Sequence, residues 1–399
     1  MRALTPFRLA DLRLRNRVIK TATFEGMSPG GVPGARLIEH HAELARGGVG
    51  MTTLAYCAVS PHGRTFADQM VMSAELVDQL RPLTDAVHRE GAAASIQLGH
   101  CGGFSKDLAQ RRRTPPGPLG PSRALNLYGV LSGLAFTKPM RADELDAVVE
   151  QFAIAAGRAC EAGFDAIELH LGHGYLLSQF LSPAINRRRD EYGGSLDNRL
   201  RLPLRVVRAV REMVGPKIPI LCKTNLSDGI PGGLEIEDAV EIAKALEREG
   251  VDALVLSGGL VSKSAFYLFR GDRPLKQMIE VEKSAMQRMA LRMFGPQVIA
   301  EYPFEELFFL PLARKVREAV DMPLCLLGGI VSRDNLETAM DEGFELVAMG
   351  RALIENPNFI RELEAGQVTR SACTHCNACV AEMDRDGVRC VLPVDRLRS

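Results

Sequence analysis

An α/β chain folded as a TIM (β/α)8 barrel, with capping excursions and a short Cys-rich C-terminal extension, is the architecture that three observations predict. Eight short β-prone runs alternate with amphipathic helical stretches along 399 residues, a length within reach of one large barrel with insertions. Polar residues able to do chemistry stand where those runs end. Two long stretches and the residues from 369 onward break the alternation.

The expected strands are 18–24, 51–59, 93–98, 166–171, 220–225, 253–257, 324–327 and 346–349. Residues 143–162 place Leu145, Val148, Val149, Phe152 and Ala156 at helical spacing on one face, with Asp143 expected as N-cap and Gly163 as the stop. Residues 102–139, rich in Pro, Gly and Arg, are expected to run over the barrel mouth. Residues 260–309 have weak periodicity and are expected to cap the active face, with Phe266, Tyr267 and Phe269 either in the core or lining a pocket. The chain thus divides into a barrel, 1–368, and a Cys-rich tail, 369–399, packed on it.

Lys plus Arg equals Asp plus Glu, 49 of each, so no net field points to nucleic acid or a membrane surface. The runs Arg111-Arg112-Arg113 and Arg187-Arg188-Arg189 are local basic patches, read as solvated faces or as contacts for a phosphate-bearing ligand. The N-terminus has no apolar signal-like segment and no run is long enough to span a bilayer, so the expected setting is cytoplasmic. Of nine cysteines, Cys57, Cys101, Cys160, Cys222 and Cys325 are scattered, mostly in apolar runs where a thiol behaves as a small hydrophobe.

Chemistry in such a barrel sits at the C-terminal strand ends. The fourth run delivers His170 and His173 to a tight turn followed at once by Tyr175. Two imidazoles and a phenol can hydrogen-bond a carbonyl oxygen and supply a proton, although a His-x-x-His pair also fits half a zinc site. The third run ends in Gln97-Leu98-Gly99-His100, whose Gln offers a donor and an acceptor to a heterocycle edge. Lys223 interrupts the apolar fifth run and must meet either an anion or a core carboxylate. The last two runs end in Gly328-Gly329 and Gly350-Arg351, where bare backbone amides and a guanidinium suit a phosphate.

Those motifs resemble the old yellow enzyme family of flavin-dependent oxidoreductases. The resemblance rests on Gln97-Leu98-Gly99-His100, His170-Leu171-Gly172-His173-Gly174-Tyr175-Leu176 and Phe180-Leu181-Ser182-Pro183. Arg189-Asp190-Glu191-Tyr192-Gly193-Gly194-Ser195, Asn198-Arg199 and Met349-Gly350-Arg351 continue it, in order, over residues 4–359. It implies FMN at the barrel mouth, reduced by NADH or NADPH, and reduction of an activated alkene. By the same resemblance Ala22, Gln97 and Lys223 contact the flavin ring, while Gly329, Gly350 and Arg351 hold its phosphate. His170 and His173 grip the substrate carbonyl, and Tyr175 protonates the α-carbon. Lys223 replaces an Arg of most relatives, and Phe24 or Thr23 stands where a Thr or Cys tunes the flavin. Tyr56-Cys57 resembles the trimethylamine dehydrogenase branch, in which an aromatic residue lines the substrate bowl. Relatives often pair, so a homo-oligomer is expected.

The remaining cysteines, Cys373, Cys376, Cys379 and Cys390, have the spacing C-x2-C-x2-C-x10-C. Four clustered thiols suit tetrahedral zinc or a four-iron cluster. The spacing resembles the [4Fe-4S] segment of the dienoyl-CoA reductase and trimethylamine dehydrogenase branch, so iron–sulfur, zinc and an empty Cys set all stay open. Three functions follow. The first is an FMN-dependent ene-reductase carrying hydride from NAD(P)H to the C=C bond of an α,β-unsaturated carbonyl compound. The second is an iron–sulfur dienoyl-CoA or enoate reductase component fed by a separate electron-transfer protein, with Arg111–Arg113 meeting the CoA phosphates. The third is a metal-binding barrel without flavin.

Overall fold

In the computed structural model, which describes residues 1–392, eight parallel strands close into a barrel. They are β1 (Val18–Lys20), β2 (Met51–Ala58), β3 (Ala93–Gly99), β4 (Ala166–Leu171), β5 (Ile220–Asn225), β6 (Ala253–Ser257), β7 (Leu324–Leu327) and β8 (Leu346–Met349). Each strand pairs with its sequence neighbours, and β8 closes on β1. Every residue of β2 to β8 is buried, as expected of strands covered by helices outside and by packed side chains inside.

β1 is shorter than its apolar run. After Lys20 only the Thr21 amide continues the ladder, to the Met349 carbonyl at 2.9 Å, and the chain then turns along the barrel mouth. The helix after β3, α1 (Ala142–Glu161), also starts differently from expectation: its N-cap is Arg141, not Asp143. Glu144 reaches back to accept the Arg141 amide at 2.8 Å, and this reciprocal bond fixes the start. Asp143 lies in the first turn, where a carboxylate still complements the helix dipole. Gly163, at φ +90°, stands just beyond the helix end.

The two excursions contain more structure than their composition announces. Residues 102–139 include a small three-stranded sheet of Leu119–Gly120, Phe136–Pro139 and Ala124–Leu125. Residues 260–309 contain the helices Ala265–Leu268, Leu275–Val281 and Ala285–Val298. The basic runs serve mainly to hold these segments. Arg188 donates to the Pro121 and Met140 carbonyls at 3.1 and 2.8 Å, Arg113 pairs with Asp107 at 3.1 Å, and Arg111 bonds the Ser132 carbonyl at 2.8 Å. Two of the three arginines expected to meet CoA phosphates, the exposed Arg111 and the half-buried Arg113, therefore already have partners within the fold.

Among the described residues no helix is long and apolar enough to cross a membrane. The expected tail reaches residue 399, and its last part, 393–399, lies outside the described residues.

Candidate active site

A cavity of about 260 Å³ opens at the C-terminal ends of the strands. Ala22, Tyr56, Gln97, His170, His173, Tyr175, Lys223, Gly329, Gly350 and Arg351 all line it, so the fold brings to one place every barrel residue assigned above to flavin or substrate.

Inward-facing side chains on β3, β4 and β5 form its floor. Gln97 lies opposite Glu168 in the strand register, and Lys223 lies opposite His170. Glu168 Oε1 accepts from Gln97 Nε2 at 2.7 Å and pairs with Lys223 Nζ at 2.9 Å; the ammonium also donates to Thr21 Oγ1 at 3.0 Å. Lys223 thus meets a core carboxylate and faces the cavity at once. Glu168 is the residue that sequence reasoning missed. Its signal was a charged residue on the strand face that carries His170, two positions before it.

The turn after β4 aims the imidazoles. His173 adopts φ +60°, a left-handed conformation uncommon for a non-glycine residue. It is held by its amide, which donates to Asn225 Oδ1 at 3.0 Å, and by its carbonyl, which accepts from the Val261 amide at 3.0 Å. His173 Nε2 and Ser257 Oγ are hydrogen-bonded at 2.7 Å. His170 Nδ1 is buried without a partner, and the His170 ring lies 4.3 Å from that of Tyr175 and 5.0 Å from that of His173, centroid to centroid. Burial, reinforced by the Lys223 charge, pushes His173 down to about 3. Burial, then the neighbouring His173 and Lys223, holds His170 well below the usual imidazole range. Both rings are neutral near pH 7. Burial pushes the Tyr175 phenol up, so it stays protonated.

Tyr56 sits at an irregularity in the β2–β3 register between Leu54 and Cys57, the kind of bulge that re-aims a side chain. Its hydroxyl donates to the Gly63 carbonyl at 2.6 Å, and its ring packs 4.7 Å from Tyr175. A Cβ on Gly99 would stand 2.3 Å from Tyr56 Cε2, so Gly99 is what leaves room for this ring. On the opposite rim Gly329, at φ +72°, lies so near the Glu305 carbonyl that a Cβ would stand 2.5 Å from it. Thr23 Oγ1 is buried, cavity-lining and unpartnered, and Phe24 packs edge-on against Phe66 at 4.9 Å. Phe269 lines the cavity, whereas Tyr267 packs on Phe309 behind it.

Arg351 stands between this cavity and a second one. Its Nη1 donates to the carbonyls of Phe269 and Arg270 at 3.2 and 2.8 Å and to Asn377 Oδ1 at 2.6 Å. Cys373, Cys376, Cys379 and Cys390 all line the second cavity, of about 20 Å³, and Cys379 lines both. Among the described residues no three His, Cys, Asp or Glu side chains form a group able to hold a metal ion. The tail was not expected to reach the larger cavity, yet His375, Val380 and Met383 also form part of its wall. Asn377 anchors it there through bonds to the Phe269 and Asp272 carbonyls at 2.6 and 2.9 Å.

A sequence model of the NADH:flavin oxidoreductase / NADH oxidase family matches residues 3–265. The 4,4'-dithiodibutanoate disulfide reductase of Rhodococcus erythropolis is 46% identical over 390 residues, 97% of this chain and 94% of that protein. The NADH oxidase of Thermoanaerobacter brockii is 30% identical over 383 residues, 93% of this chain but 52% of that protein, so the chain spans about half of that relative. A solved structure of morphinone reductase in complex with tetrahydroNAD shares the fold, with TM-score 0.71 at 23% identity, over 93% of this chain and 92% of that one. The chain therefore belongs to the NADH:flavin oxidoreductase / NADH oxidase family, the old yellow enzyme family, whose members are flavin-dependent oxidoreductases.

Proposed function

We propose that the chain is an FMN-dependent ene-reductase that uses NADH or NADPH to reduce the C=C bond of an α,β-unsaturated carbonyl compound. The residues present fit FMN. One strand-end layer offers a buried ammonium at Lys223 and the side chain of Gln97, with the unpartnered hydroxyl of Thr23 nearby. The opposite rim offers glycine backbone and a guanidinium. Ala22, Gln97 and Lys223 would lie along the ring, and Gly329, Gly350 and Arg351 would hold the phosphate. When bound, the flavin supplies two-electron hydride chemistry between the nicotinamide and the alkene.

The chain's own residues polarise and protonate. The free Nδ1 of His170 is the observation that carries this reading: a buried, neutral, unpaired imidazole nitrogen beside a protonated phenol awaits a ligand oxygen. His173, fixed through Nε2 by Ser257, keeps its other ring nitrogen for the same oxygen. A carbonyl bonded by both rings is drawn toward enolate character, and Tyr175 donates its proton to the α-carbon. Lys223 stabilises negative charge gathering above the barrel floor, and its pairing with Glu168 fixes its position.

A second reading is favoured by the 46% identical relative named as a disulfide reductase. An organic disulfide would take the same two electrons and two protons and leave as two thiols. Purified protein assayed with NADH and NADPH against 2-cyclohexenone and 4,4'-dithiodibutanoate separates the two. Oxidation of the nicotinamide with the enone supports the first reading. Activity with the disulfide alone replaces it, and a protein that takes up no FMN sinks both.

We further propose a [4Fe-4S] cluster on Cys373, Cys376, Cys379 and Cys390, fed by a separate electron-transfer protein. The spacing supports it, as does the placement of all four thiols on the lining of one small cavity. Iron and acid-labile sulfide, analysed in anaerobically purified protein, should be present in equal amounts. Stoichiometric zinc, or no metal, would refute the cluster.

A further inference from the structure

Behind the cavity lies a buried charged cluster that the chemistry above does not use. Lys20, the last residue of β1, and Glu25, on the loop after it, are 0% and 2% exposed. Lys20 Nζ meets Glu25 Oε1 at 2.5 Å and donates weakly to the Thr53 carbonyl at 3.4 Å. His41, from the helix Ala35–Arg46, approaches Glu25 Oε1 at 3.5 Å through Nε2 and bonds Thr52 Oγ1 at 2.8 Å through Nδ1. The residues between the pair, Thr21, Ala22, Thr23 and Phe24, all line the large cavity. The C-terminal segment rests on the same place. The Glu25 carbonyl accepts the Val388 amide at 2.7 Å, and a Cβ on Gly26 would stand 2.2 Å from the Met383 carbonyl.

We infer that the Lys20–Glu25 ion pair, braced by His41, is a positioning device. It clamps the ends of the cavity-lining segment 21–24 and seats the Cys-rich tail against it, so that both face a bound flavin in one fixed arrangement. Stability alone is a poor reason for such a pair, because apolar residues of similar volume often replace a buried ion pair at no cost. Apolar contact is non-directional and does not fix where the two ends of a loop stand; a short charge-assisted bond does. The inference rests on the reading that the cavity holds FMN.

The test is FMN release from holoprotein on dilution, followed by recovery of flavin fluorescence, with the visible absorption band and thermal unfolding recorded in parallel. E25Q leaves the Lys20 charge buried without its partner, and K20M/E25M removes both charges. Both variants are expected to release FMN about tenfold faster or more and to shift the visible band, while K20M/E25M unfolds at a higher temperature than E25Q. Should E25Q fail to fold, the double variant decides. A folded K20M/E25M protein with release rate within about twofold of the parent and an unmoved band overturns the inference while leaving the functional reading intact. A parent protein with no affinity for FMN overturns both.

Discussion

His170 and Tyr175 are separable by experiment because they act on different atoms. H170A removes a buried, cavity-lining imidazole whose Nδ1 has no partner, and phenolic ligands, which present an anionic oxygen to the same place, should bind about tenfold more weakly. Titration of the holoprotein with p-hydroxybenzaldehyde checks this; an unchanged affinity removes His170 from the oxygen-binding role. Y175F keeps the ring that packs on Tyr56 and Phe104 and deletes only the hydroxyl, and with it the proton it would donate. Stopped-flow measurement should show flavin reduction by the nicotinamide nearly intact and turnover with the alkene slowed by about a hundredfold or more. A loss confined to the reductive half would exclude Tyr175 as the donor. Both residues were legible in the sequence because polar side chains at a strand end have few structural uses. Glu168 was not, since a lone charge in a strand does not say that it will meet Gln97 and Lys223, which the pairing of β4 with β3 and β5 brings beside it.

At the scale of elements, the site depends on how one strand makes room for another. Gly99 ends β3 where the Tyr56 ring crosses it, and G99A would put a methyl group 2.3 Å from Tyr56 Cε2. The ring belongs to a packed aromatic wall, so the variant should lose about 1–3 kcal/mol of stability by thermal or urea unfolding. That loss should shrink markedly in a Y56A background; an equal loss there would show that the methyl meets something else. Seven of the eight strand runs were read to within a residue because buried parallel strands are continuous apolar runs, whereas β1 ends four residues before its run does. The start of α1 was misplaced because Asp143 is the better N-cap by type, whereas the bond that forms is that of Glu144 to the Arg141 amide. The helices of residues 260–309 were missed because their apolar residues mark no single buried face: Met286, Met289, Met293 and Phe294 of Ala285–Val298 are exposed.

For the whole molecule, burial of neutral histidines sets an acid limit. His100 and His173 are each pushed down to about 3 by desolvation, far below the ordinary 6.5 that they regain when the chain unfolds. Below pH 6.5 the unfolded chain binds more protons than the folded one. The stability these groups allow is therefore complete above about pH 6.5 and is lost progressively toward pH 3. Glu25, held down to about 2 against its own burial by Lys20 and His41, adds a further loss as pH falls from the usual carboxylate range toward 2. Thermal unfolding should give a clearly lower midpoint at pH 5 than at pH 7.5. A flat profile would mean that these groups are not buried as described.

Local pattern was enough for the barrel and its strand ends, because strand burial and turn chemistry are written in neighbouring residues, and the resemblance of the strand-end motifs to known enzymes pointed to the family. It also placed four cysteines within metal-ligand spacing. Contacts between residues far apart in the chain belong to the tertiary structure. Only the packing of neighbouring strands joins Glu168 to Lys223 and His173 to Ser257, and only docking of the tail brings His375 and Met383 into the wall of the main cavity. A sequence pattern records which faces are apolar, but the pairing of buried polar groups depends on which strands and segments become neighbours, and that is settled by packing over the whole chain.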